Sequence, residues 1–242
     1  MEYSTRRHHR ARLVREALRS ALVEGAWADS LLPSDDEIGR QFGVGRNVVR
    51  EALQLLVDEG FLLRQQGSGT RPRTHVLLHD AAALRSLYEG TEADLPSKIR
   101  HQVLRWGPMS ASPIHAANLE VDVGTPVVHY ERLTWFESVP VIFWSTIMRD
   151  DVGLRPPAEP GEFTPDGFYR YVEYAGLELG EGTLRTSAVR ADRGIAEVLD
   201  VEIGSPMLLQ YRRILLSDGR PLEVSSGYFR SDHVAFTQRV SR

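Results

Sequence analysis

Between Arg10 and Val23 the apolar residues recur in steps of three and four. Leu13, Ala17 and Ala21 interleave with Val14, Leu18 and Leu22, so a helix here would carry one wide apolar stripe. A connection over 25–32 leads to LPSDDEIGRQFG, where Ser34 and Glu37 have the spacing of a capping box: the hydroxyl takes the Glu37 amide and the carboxylate returns to the Ser34 amide. A second helix is predicted from there to the turn at Gly43-Val44-Gly45, and a third from about Arg46 to Glu59, stopped by Gly60. In the third helix Val49, Leu53 and Leu56, with Val48, Ala52 and Leu55, form the inner side. Arg46, Asn47, Arg50, Glu51 and Gln54 lie on the opposite arc, and Arg46, Arg50 and Gln54 share one face at i, i+4, i+8. FLLRQQGSGTRPR then reads as a strand, a turn at Gly67-Ser68-Gly69 and a short return bearing Arg71 and Arg73. Three helices followed by a basic, glycine-tipped hairpin predict a winged helix-turn-helix.

The pattern changes in the second half, where the chain repeats itself. LEVDVGTPVVHYERLTWFESVPVIFWSTIMRDD (119–151) aligns with LDVEIGSPMLLQYRRILLSDGRPLEVSSGYFRSD (199–232), matching Leu119 with Leu199, Gly124 with Gly204, Pro126 with Pro206, Tyr130 with Tyr211, Arg132 with Arg213 and Arg149 with Arg230. The offset is 80, then 81 after one insertion. Each copy reads as a helix end, a Gly-Thr/Ser-Pro turn and two long strands about a tight turn, Glu137-Ser138 in one and Asp218-Gly219 in the other. Two such units pair most simply in one antiparallel sheet with helices on one face. Further helices are expected near 165–175 and 192–199. The organisation is 1–73 for the helix-turn-helix domain, 74–96 for an Ala-rich, acidic linker and 97–242 for a single α+β domain.

Composition narrows the function. The chain has 242 residues, 42% hydrophobic and 26% charged, enough for two domains, and no apolar run long enough to span a membrane. MEYSTRRHHRAR is basic but is followed by no apolar core, so a secretory signal is not expected. There is no cysteine, which removes disulfides and thiolate metal or redox chemistry and suggests a cytoplasmic address. The net charge of −4 does not exclude nucleic acid, because charge is uneven: 1–75 carries 12 Arg against 10 Asp and Glu, and the acidic surplus lies beyond. Of the eight histidines His75 and His79 stand at H-x-x-x-H spacing but without the glutamate of H-E-x-x-H, and neither a nucleophile elbow nor a phosphate loop is present, so no metal or cofactor is expected.

An exposed helical face of Arg and Gln is usually only solvated. Here it coincides with the capping box, the glycine turn and the basic wing. Arg can bond guanine O6 and N7, and Asn or Gln adenine N6 and N7, so that face can read a major groove. Leu32-Pro33-Ser34-Asp35, Phe42-Gly43-Val44-Gly45-Arg46, Val49-Arg50, Ala52-Leu53, Glu59-Gly60 and Gly67-Ser68-Gly69-Thr70 resemble, nearly without gaps, the amino-terminal pattern of the GntR family of bacterial transcription regulators. The resemblance implies that Arg46 and Arg50 contact base edges or phosphates, that Ser34 lies near the DNA backbone and that Gly69 brings the wing to the minor groove. Asn47, Gln54, Gly67 and Arg71 complete the expected DNA-binding set. Gly45 and Asn47-Val48 depart from the usual Ser and x-Thr.

GTPVVHYERL, GSPMLLQYRRILLSDGRPLE and YFRSDHVAF resemble the UTRA domain, the ligand-binding module of the HutC subfamily, which shares its fold with chorismate lyase. That resemblance implies a small-molecule effector in a pocket between sheet and helices, and a homodimer on a palindromic operator. By motif position the pocket residues are Ser97, Arg132, Thr134, Trp144, Tyr169, Glu223 and Phe229. Thr134, Trp144 and Phe229 replace a frequent Arg, carboxylate and Tyr, which leaves an aromatic or amphipathic effector open beside a sugar phosphate. Arg132 also suits a hairpin ion pair, and Trp144 and Phe229 suit core packing. The function expected is a repressor under effector control. The alternatives are an enzyme with a lyase-like domain and a DNA-binding appendage, a regulator that uses no ligand, and a winged helix used for protein contacts.

Overall fold

The computed structural model describes residues 6–27, 30–65, 69–73, 77–80, 98–155 and 167–238. The chain divides into two compact units, Met1–Val76 and Leu77–Arg242. The first is built from helices α1 (Arg6–Val23), α2 (Asp35–Phe42) and α3 (Arg46–Asp58) and the antiparallel strands β1 (Leu62–Gln65) and β2 (Gly69–Pro72). α1 begins four residues before the start expected at Arg10. The capping box forms as the spacing required: Ser34 accepts from the Glu37 amide at 3.3 Å and its own amide donates to Glu37 at 2.8 Å. Gly43 ends α2 at φ 62°, a left-handed conformation that favours glycine. The apolar faces meet in one core of Val14, Leu18, Leu32, Ile38, Val49, Ala52, Leu53, Leu56 and Leu62. Glu59, just past α3, ties α1 to it by ion pairs with Arg15 and Arg19.

The second unit is α+β. Its six-stranded antiparallel sheet runs β4 (Ile99–Ser110), β5 (Pro126–Phe136), β6 (Val139–Arg149), β9 (Pro221–Arg230), β8 (Pro206–Leu216), β7 (Leu179–Arg190). The repeat is larger than the sequence alone indicated. β4, α4 (Pro113–Leu119), β5 and β6 form one copy, and β7, α6 (Arg193–Leu199), β8 and β9 the other, joined where β6 pairs with β9. Ser145 faces its own mate Ser226 across that junction. α4 lies against β9 and α6 against β6, so each copy's helix covers the other's inner strand. Arg149 and Arg230, equivalent residues, donate to the carbonyls of Leu119 and Leu199 that end these helices, at 3.1 and 3.2 Å.

Three expectations change. Helices do not all lie on one face: α5 (Gly167–Tyr174) packs Phe168, Tyr169 and Val172 on Tyr130, Met148 and Ile214, whereas α4 and α6 pack on Val127, Val224, Leu133 and Phe143, which alternate onto the other side of the same strands. Residues 77–80, expected in the linker, form β3 (Leu77–Asp80), which pairs in parallel with β10 (Val234–Thr237) of the second unit. The insertion also falls later than the sequence alignment placed it. Arg132 pairs with Trp144, and Arg212 with Ser225, the mate of Trp144, so the structural twin of Arg132 is Arg212. A slip of one residue moves a strand side chain to the opposite face. Arg213 is there, donating to the Asn118 carbonyl at 2.9 Å and to Glu120 at 2.7 Å.

Candidate nucleic-acid interface and effector pocket

In the first unit the buried face of α3 fixes what the other face presents. Val49, Ala52, Leu53 and Leu56 are buried, and Arg46, Asn47, Arg50 and Gln54 are exposed. The arginines already have counter-charges. Arg46 forms a two-pronged hydrogen-bonded ion pair with Asp36, and Arg50 donates to Asp35 at 3.3 Å; both acids belong to the first turn of α2. The Arg46 hydrogen bond holds Asp36 below its ordinary pKa, and Asp36 in turn raises that of Arg46. Gln54 donates to Asp58 at 2.8 Å. The Ser34 hydroxyl is engaged with Glu37 in the cap, and Gly69 and Arg71 are exposed on β2. Gly69 has φ 91°, so any other residue would be strained there, and a Cβ would meet Leu31 at 3.3 Å. Gly67 lies outside the described residues, as does Ser97. The acids that hold the arginines were missed; the run Asp35-Asp36-Glu37 was their only signal.

In the second unit a pocket lies between the sheet and α5. Tyr130 and Arg132 come from β5, Trp144 and Thr146 from β6, Arg212 from β8, Glu223 and Ser225 from β9, and Phe168 and Tyr169 from α5. Four of the expected residues, Arg132, Trp144, Tyr169 and Glu223, therefore converge. Two do not. Thr134 is fully buried and shares a 3.0 Å hydrogen bond with His101 beyond the lining. Phe229 is fully buried edge-on to Trp144 and Phe236, at 5.4 and 4.9 Å between ring centroids, in an apolar cluster that adjoins the lining through Trp144. Arg212 was missed because the misplaced insertion put Arg213 in its place.

Glu223 is the one acidic residue in the lining and is 2% exposed. It accepts from Tyr169 at 2.6 Å and Ser225 at 3.1 Å. Burial raises its pKa, opposed by those two hydrogen bonds and by the charges of Arg212 and Arg132. The Arg212 guanidinium lies 4.1 Å from the Trp144 ring centroid and donates to Gln210 at 2.6 Å. Arg132 is 8% exposed, and its Nε has no hydrogen-bond partner among the described residues. Burial, then Arg132, pushes the His101 pKa well down, keeping that imidazole neutral. Two guanidiniums against one carboxylate that burial disfavours make the pocket cationic. The cavity left between the side chains is about 10 Å³, room for about one water.

Comparison with known proteins finds a family for each of the two units. The family of bacterial regulatory proteins named for gntR matches residues 10–71, and the UTRA domain matches residues 76–235. The histidine utilization repressor of Pseudomonas aeruginosa is 28% identical over 206 residues, 83% of this chain and 79% of that protein. The transcriptional repressor NagR of Bacillus subtilis is 25% identical over 241 residues, 95% of this chain and 93% of its own. The crystal structure of PhnF from Mycobacterium smegmatis superposes with a TM-score of 0.64 at 25% identity, covering 94% of this chain and 99% of that one. With its helix-turn-helix and the greater part of its length thus matched, the protein belongs to the GntR family, in the HutC-like branch that carries a UTRA domain, and is a DNA-binding transcriptional regulator with an effector-binding domain.

Proposed function

We propose that the protein is a cytoplasmic, homodimeric repressor that binds a palindromic operator without catalysing a reaction, and that a small anionic metabolite, displacing side chains from the filled pocket beneath α5, alters its operator affinity. The observation that carries the DNA reading is the exposed arc Arg46, Asn47, Arg50 and Gln54, set on a helix whose other face is fully buried. Arg46 and Arg50 exchange Asp36 and Asp35 for guanine O6 and N7, while Asn47 and Gln54 face adenine. Ser34, Gly69 and Arg71, with Gly67 beside them in sequence, lie along the sugar-phosphate backbone and the minor groove. The names of the two relatives above, both repressors, support the sign of regulation.

The effector reading rests on Arg132, whose buried Nε lacks a protein acceptor among the described residues, beside Arg212, Tyr169 and Trp144. A carboxylate or phosphate supplies that acceptor by a charge-assisted bond, and the rings accept an apolar body. The test is a thermal-shift screen of sugar phosphates, amino acid derivatives and aromatic acids against the wild type and Arg132→Ala. An anion that raises the unfolding temperature of the wild type alone, and changes its operator affinity, supports the reading. If every such anion acts equally on both proteins, the assignment of this pocket is wrong.

A further inference from the structure

The two copies of the repeat differ on the sheet face opposite the effector pocket. Around α6 that face is filled: Phe143 and Tyr228, 6.4 Å apart, pack with Ile195, Val198, Val189 and Leu133. Around α4 the same positions of the other copy surround an open groove of about 430 Å³. The register fixes the mates. Val224 stands where Phe143 does and Ile147 where Tyr228 does, which removes two aromatic rings, while Tyr211 in place of Glu131 adds one; His115 replaces Ile195, Asn118 replaces Val198 and His129 replaces Leu209, which makes the lining polar. A chain that has kept the fold of both copies has hollowed one of them and moved hydrogen-bonding groups into the hollow.

Those groups point to a class of ligand. His129 Nε2 lies 3.1 Å from the Ser145 hydroxyl, and the buried Nδ1 of His115 has no partner among the described residues. Met109, Ile114, Ile147 and Val224 supply apolar walls. The charges nearest His129 are of both signs, Glu131 at 3.4 Å and Arg105, and His115 also faces it, so the groove has no strong net field. We propose that this groove is a second small-molecule site, distinct from the pocket beneath α5, that takes an uncharged planar ring carrying both a hydrogen-bond donor and an acceptor. Ser225 borders both cavities from within β9, so an occupant here sits one sheet thickness from the effector pocket and can modulate it.

The chain contains its own control, since the side chains that fill the twin position are known to pack there. Ligand-observed NMR on the full-length protein is carried out with nicotinamide and benzamide as probes, and nicotinate and benzylamine as charged counterparts. The wild type is compared with the double variant Val224→Phe/Ile147→Tyr and with His129→Leu, each checked for folding by thermal unfolding. Saturable binding of the neutral rings is expected, weakened about tenfold or more when the cavity is filled and also weakened by the single change His129→Leu. The proposal is overturned if no neutral probe binds, if the charged rings bind better, or if the variants bind as the wild type does. It is also overturned if filling the groove converts a dimer to a monomer, because the groove would then be an interface between copies. The single variant keeps the test decisive should the double variant fail to fold.

Discussion

Arg46 and Arg50 leave the first two turns of α3 with Asp36 and Asp35 already bound, so DNA must compete with carboxylates for both. A guanine edge and a phosphate can each take a guanidinium two-pronged, so the carboxylates lower affinity for any DNA and selectivity is left to the base contacts. Arg46→Ala or Arg50→Ala should each weaken operator binding by roughly ten- to a hundredfold in an anisotropy titration. Asp36→Asn should instead tighten binding to operator and to scrambled DNA alike. In the pocket, the raised pKa of Glu223 sets the sign of a pH effect. The native carboxyl holds its proton above the ordinary 4.5, so its contribution to stability is complete below that value and is lost as the pH rises through the raised native value. Glu223→Gln keeps an acceptor for Tyr169 and should remove that decline, as read from unfolding midpoints across the pH range. At this scale motif position was enough to place Arg46 on the exposed face of α3 and Arg132 in the pocket lining. It was not enough for Arg212, because adjacent arginines differ only in which face of the strand they take.

At the scale of the element, local rules and complementary shapes do the positioning. Ser34→Ala removes the hydroxyl that caps α2 and should lower the stability of the first unit by about 1 kcal/mol in denaturant unfolding. The junction of β6 and β9 depends on an exchange of size between the repeats: Trp144 faces Gly227, while the equivalent pair is Ser225 and Thr146. A Cβ on Gly227 would come within 2.6 Å of the Trp144 ring, so Gly227→Ala should cost about 1–3 kcal/mol, and Trp144→Ser should relieve it in a double-mutant cycle. The capped helices and both hairpins of the repeat were readable because Gly, Pro and Ser mark their ends. β4 and β7 were not: they are edge strands with mixed exposure, and their sequences share no alternation with each other. The helix near 165–175 was expected, but periodicity gives a helix its apolar face and not the side of the sheet that receives it, so α5 was placed with its neighbours when it lies opposite them.

For the whole molecule, the uneven charge, the two family resemblances and the internal repeat led to the architecture of a winged helix-turn-helix followed by an α+β effector domain. The size of the repeat, which extends to β4 and β7, was hard to see because at the offset of 80 those strands share only Leu104-Arg105 with Leu184-Arg185 as identities; strand pairing brings them into equivalent places. As a dimer, the protein should bind an inverted repeat whose half-sites are spaced by about one helical turn. Shifting that spacing by half a turn in a synthetic operator should abolish selective binding. The most direct test of the central claim is fluorescence anisotropy of the full-length protein on a labelled fragment of the DNA flanking its own gene, over a salt series and against scrambled DNA. The account predicts tight, sequence-selective binding that weakens steeply with salt as arginines release counterions. Binding that is weak and indifferent to sequence at every salt concentration would contradict it.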